Sequence, residues 1–258
     1  MSDLVAAVPP HEPAEDTLVT VAKAGLSLIP GVGGLLAETL AHGMQLRQGA
    51  RQHEFNERVA RRLDALLASA AHRVTLDDVL NSDEFLAGVT RASRIAAETA
   101  SHSKRERLAA AVANSGEWSA FVKRERTEFA RLVEDFDDLH VWLLHYLNDP
   151  GEWLEKNGHL PSGVRAEDVI GFPKPKPHLT SGDENPLTTV FGVPFKTYYP
   201  VLMQVVGDLE RTALTSNELR DQLRRLWPAL HGVTNDKGRR FLEFLGEPSS
   251  SDAAAPEL

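Results

Sequence analysis

Ala24-Gly25-Leu26-Ser27-Leu28-Ile29-Pro30-Gly31-Val32-Gly33-Gly34-Leu35-Leu36-Ala37 is the stretch whose reading decides the fold. It carries no charge, and Lys23 and Glu38 bound it. Glycine and proline weaken a helix in water, so a helix here needs outside support. Two supports compete. Close packing would use Gly25, Gly31, Gly33 and Gly34 to admit another backbone, with Pro30 opening a new helix at its first turn. Lipid would use the same small residues for helix contact. A spanning helix needs roughly 20 mostly apolar residues, and this run is shorter. The expectation is therefore a buried hairpin or kink, with membrane contact as a conditional alternative.

The pattern extends outward on both sides. A first helix is expected over Thr17 to Leu28, and a second from about Pro30 to Ala71. Leu36, Leu40 and Met44, then Phe55, Val59, Leu63, Leu66, Leu67 and Ala70, recur in steps of three and four. Unbroken, that helix would be about 60 Å long. Gly43 and Gly49 are its weak points. Arg47, Arg51, Arg58, Arg61 and Arg62 form a basic run on it and are the candidate interaction face. Pairing with Glu54, Glu57 and Asp64 at helical spacing is the plainer expectation for the same arginines.

Thr75-Leu76-Asp77-Asp78 starts a short helix capped by Thr75. Asn81 or Ser82 caps the next, with Phe85, Leu86, Val89, Ala92, Ile95 and Ala96 on one face. Ser103-Lys104-Arg105-Glu106 reads as a capping box for a helix ending at Asn114-Ser115-Gly116. A helix pair is expected over Glu117 to Leu147, stopped by Asn148-Asp149-Pro150-Gly151. Prolines and glycines then crowd Glu152 to Thr197, with a short strand or turn expected around Val190 to Tyr199. A helix returns at Pro200, a shorter one carries Leu219, Leu223 and Leu226, and Thr234-Asn235-Asp236-Lys237 opens the last, which Gly246 stops.

The charge balance and the residues that are missing narrow the function. The net charge of −9 does not favour nonspecific binding to nucleic acid or to an anionic membrane surface. The absence of cysteine removes disulfides, thiol catalysis and Cys-ligated zinc. Met1 to Thr17 has no basic start followed by an apolar core, so the expected location is the cytoplasm. Gly31-Val32-Gly33-Gly34 lacks the Lys-Ser or Lys-Thr of a phosphate loop. His140 and His145 fall on different faces of a helix and make no paired metal site. Asp135, Asp137 and Asp138 beside His140 read as a solvated acidic helix start. No catalytic residue, cofactor or metal is expected.

Ile29-Pro30-Gly31-Val32-Gly33-Gly34, then Asn81-Ser82-Asp83-Glu84-Phe85, Lys104-Arg105-Glu106 and Asn114-Ser115 resemble a widespread set of uncharacterised bacterial helical proteins. The resemblance covers roughly Leu18 to Gly116 and implies a small-residue helix followed by a long amphipathic one. A second resemblance follows Leu139 to Leu144, Leu202 to Leu214 and Val233 to Leu242, in the order of a winged helix. It implies DNA contact through Gln204, Arg211, Arg239 and Arg240. A recognition helix needs base-reading donors, and Tyr199 to Arg211 offers few. Protein interaction is thus the favoured use of that module.

The expected fold is mainly α. Residues 1–16 are a disordered N-terminus, 17–130 a helical bundle or long helical hairpin, 131–246 a winged-helix-like module with a Pro-rich insertion, and 247–258 a disordered tail. The expected function is non-enzymatic interaction or regulation, with another protein or a second copy as partner. A membrane-associating effector of toxin or defence type and a DNA-binding regulator are the alternatives.

Overall fold

The computed structural model describes residues 34–69, 74–160, 165, 186–216, 219 and 232–246. These residues are mainly helical, and their one β feature is an isolated antiparallel bridge between Thr215 and Thr234. The chain divides into two compact units, Met1–Asp135 and Phe136–Leu258. The expected helix over Thr17 to Leu28, and Gly25, Pro30, Gly31 and Gly33 with it, lie outside the described residues.

In the first unit, α1 (Gly34–Ser69) runs unbroken through Gly43 and Gly49 and opens at Gly34. Its length is about 54 Å at 1.5 Å per residue. Phe55, Val59 and Leu63 recur every four residues and are buried. They face two later helices, α3 (Asp83–Glu98) and α4 (His102–Ala113). The short α2 (Leu76–Leu80) starts with Thr75 and Asp78 in a reciprocal capping box. Ser82 caps α3, its hydroxyl accepting from Phe85 N at 3.2 Å. Phe85, Ala92 and Ala96 point inward, whereas Leu86, expected on that face, is exposed.

The cap of α4 lies two residues earlier than expected. Ser101, not Ser103, accepts from Lys104 N at 2.9 Å, so the helix begins at His102. Every residue from Leu108 to Ala113 is buried, because α4 packs against α1, α3 and α5 (Lys123–Asp135). Small side chains at Ala109, Ala110 and Ala111 make those close approaches feasible. Residues 117–122 form a turn instead of the expected helix. The Trp118 ring folds back over Gly116, where an added Cβ would come within 2.2 Å of it. Its Nε1 donates to Ala113 O at 2.9 Å and closes the end of α4.

The second unit centres on α6 (Asp138–Asn148), buried from Leu139 to Leu147. Asn148-Asp149-Pro150-Gly151 stops α6 at Asn148, as expected, but a second helix follows at once. Asp149 caps a new helix, α7 (Pro150–Lys156), with Pro150 at the first turn, where its missing N–H costs little. Of the strand or turn expected around Val190 to Tyr199, a turn is present at residues 192–194, where Gly192 has φ +63°, and the strand is not. α8 (Pro186–Phe191) and α9 (Phe195–Arg211) replace it, and Pro200 sits inside α9 instead of opening it. Burial of Tyr198, Leu202, Val205, Val206 and Leu209 at helical spacing overrides the β preference of the aromatic run. α10 (Asp236–Phe244) is capped by Asn235, whose Oδ1 accepts from Gly238 N at 3.0 Å. Of the intervening expected helix, only Leu219 is described, and it is buried.

Candidate functional site

The arginines of α1 do not share one open face. Arg58 is only 8% exposed and donates to Glu54 at 2.7 Å and to Glu106 of α4. Arg62 also pairs with Glu106, at 2.7 Å. Arg51 reaches the carbonyls of Ala97 and Glu98 at the end of α3, at 3.4 Å. Arg47 and Arg61 are exposed. The run therefore fastens α1 to its neighbours through Arg51, Arg58 and Arg62, and two of its members reach solvent. Glu54 accepts from Arg105 of α4 as well, at 2.7 Å. Burial raises the Glu54 pKa, but the hydrogen bonds and charges of Arg58 and Arg105 outweigh it and hold the carboxyl below its ordinary value.

The second unit holds another polar network. His140 Nδ1 lies 2.6 Å from Asp137 Oδ1, and its Nε2 lies 3.2 Å from Asp208 Oδ2 on α9. Asp208 was not legible as a member, because it lies far along the chain from His140. Burial is the largest single influence on His140 and lowers its pKa, yet the bonds to Asp137 and Asp208 together raise it. Asp137 is held at about 2, chiefly by its hydrogen bond with His140. Gln204 and Arg211 are exposed on α9, and Arg211 is bound to Asp208. Arg239 holds Asp236 and donates to Thr234 O at 2.8 Å, while Arg240 is half-buried.

A concave cleft with room for a ligand lies between α3, α4 and α5, with a volume of about 260 Å³. Glu84, Ala87, Gly88 and Arg91 share one face of α3 by their spacing and form one wall. Leu108, Ala111 and Val112 of α4 make an apolar floor. Lys123, Arg126, Ala130 and Glu134 of α5 close the other side. The alternation of small and charged residues on α3 and α5 was the available sequence signal. It had no meaning until the packing put the two faces opposite each other.

Ion pairs fix the rim. Glu84 accepts from Lys123 at 2.6 Å and from Arg126 at 3.0 Å. Arg126 is buried and also donates to Phe121 O at 3.0 Å. The hydrogen bond from Lys123 is the main cause holding the Glu84 carboxyl below its usual range. Arg91 makes a long contact of 3.4 Å with Glu134 and is 56% exposed. A half-open, mostly apolar space with fixed charges at its mouth suits binding of a small amphipathic group. A neighbouring acidic notch contains Asp77, Asp78 and Asp83, but Asp78 is taken up by its cap. Among the described residues no cluster of His, Asp and Glu could hold a metal ion. Among them, too, no helix is long and apolar enough to cross a membrane.

No protein-family model, no curated protein and no solved structure matches this chain.

Proposed function

We propose that this chain is a non-enzymatic helical protein of interaction or regulation, and that it works by binding at the cleft between α3, α4 and α5. The observation that carries this reading is the cleft itself. Its rim charges are fixed by mutual pairing while its small-residue walls leave about 260 Å³ open. A fixed polar rim around an apolar floor is the arrangement that gives a pocket both affinity and orientation. Replacing the exposed Ala87 with a photo-crosslinking residue in producing cells tests it. The expected result is a covalent adduct of defined mass at position 87 and none from the same residue at Arg61. An unmodified protein at both positions would overturn the proposal.

For the second unit we propose a winged-helix-like module used for protein contact. The succession of α9, the Thr215–Thr234 bridge and α10 supports that reading. Arg211 and Arg239 each hold an aspartate of their own unit, and this counts against phosphate contact by the same guanidinium groups.

A further inference from the structure

We infer that the occupant of the α3–α4–α5 cleft is a small monocarboxylate with an apolar tail, an inference that rests on the cleft being the working site. Size sets the first limit. A cleft of about 260 Å³ has the size of a small-molecule site. It suits a carboxylate with a short apolar tail and does not enclose a helix of a partner protein, which measures about 10 Å across.

Charge sets the second limit. The chain as a whole is acidic, with a net charge of −9. The cleft itself gathers three cations, Arg91, Lys123 and Arg126, beside Glu84 and Glu134, and Glu117 also acts on Lys123. Glu84 already accepts from two cations, so that carboxylate has little to offer a cationic ligand.

Geometry selects the residue that takes the head group. Arg126 is spent on Glu84 and Phe121 O, and it is buried. Arg91 is exposed and touches Glu134 through Nη1 alone at 3.4 Å, which leaves Nε and Nη2 for a carboxylate. Gly88 and Ala87 stand one turn before Arg91 on the same face, where the tail would pass toward Leu108 and Val112. Gly88 lines the cleft, and a Cβ there would sit 3.4 Å from Ser115 Oγ, an ordinary contact.

Isothermal titration of the full chain with hexanoate, hexylamine and hexanol tests the inference. Hexanoate is expected to bind saturably and the amine and alcohol far more weakly. Arg91→Glu should weaken hexanoate binding by about tenfold or more, as expected for loss of a charge-assisted hydrogen bond. Gly88→Leu should abolish binding by filling the cleft, with circular dichroism confirming the fold of both variants. Equal binding of hexanoate by the wild type and both variants would place the ligand elsewhere and overturn the inference. No hexanoate binding, together with a photo-adduct at Ala87, would overturn the carboxylate and keep the cleft. Neither binding nor adduct would overturn both.

Discussion

Glu106 Oε1 on α4 accepts two hydrogen bonds from Arg62 of α1, at 3.0 Å from Nε and 2.7 Å from Nη2. Two donors of one guanidinium converge on that single oxygen, an arrangement the one ammonium of a lysine could not reproduce. Glu106 also faces Arg58, which is buried. Glu106→Ala should therefore destabilise the protein by about 1–2 kcal/mol, with Glu54 still compensating part of the Arg58 charge. Arg61→Ala, on the exposed side of α1, should change stability by less than about 0.5 kcal/mol. Urea unfolding of both variants checks the contrast.

Gly238 explains itself by proximity. A Cβ there would come within 2.3 Å of Leu214 O and 2.7 Å of Thr234 Cγ2. Gly238→Ala gains helix propensity but forces the start of α10 away from the backbone beside the Thr215–Thr234 bridge. A net loss of about 1–3 kcal/mol is expected, read as a lowered urea midpoint.

Tyr146 is fully buried, and its hydroxyl has no hydrogen-bond partner among the described residues. Its ring stacks on Trp142 at 5.6 Å and meets Trp153 edge-on at 5.5 Å. Tyr146→Phe keeps those contacts and removes an unpaired polar atom. Stability should stay level or rise by up to about 1 kcal/mol. A clear loss in thermal unfolding would show that the hydroxyl has a partner.

The His140 network predicts opposite pH dependences for its two members. The folded pKa of His140 lies above its ordinary value, so its charge favours folding below pH about 6.5. That contribution fades as pH rises through the folded pKa. Asp137, held at about 2, favours folding above its ordinary pKa and loses that effect as pH falls from about 4 toward 2. Because Asp137 is largely exposed, its share is at most about 1 kcal/mol. The stability difference between the wild type and His140→Gln should shrink between pH 6 and pH 8, as measured by urea titration at each pH.

The helical class was legible, and so were several ends. Thr75, Ser82, Asn235 and Gly246 act as local chemistry dictates, because a cap is decided by the few residues around it. Ser103 misled because Ser101, two residues earlier, offers the same hydroxyl, and nothing local ranks the two. Phe195 to Tyr199 misled because their aromatic character suggests a strand while buried Tyr198, Leu202 and Val205 make a helix. The arginines of α1 were read correctly as pairing with nearby acids in the case of Glu54 and Arg58. Their bonds to Glu106 and to the end of α3 depend on which helix packs where, which no spacing along α1 encodes. The cleft was invisible for the same reason: Glu84 and Lys123 meet only when α3 and α5 flank α4.

The most direct test of the cleft as the binding site is an alanine-methyl NMR titration of the full chain with hexanoate. The account predicts saturable shifts confined to Ala87, Ala92, Ala111 and Ala130, the alanines that line the cleft. Shifts absent at those four methyls, or spread through both units, would contradict it.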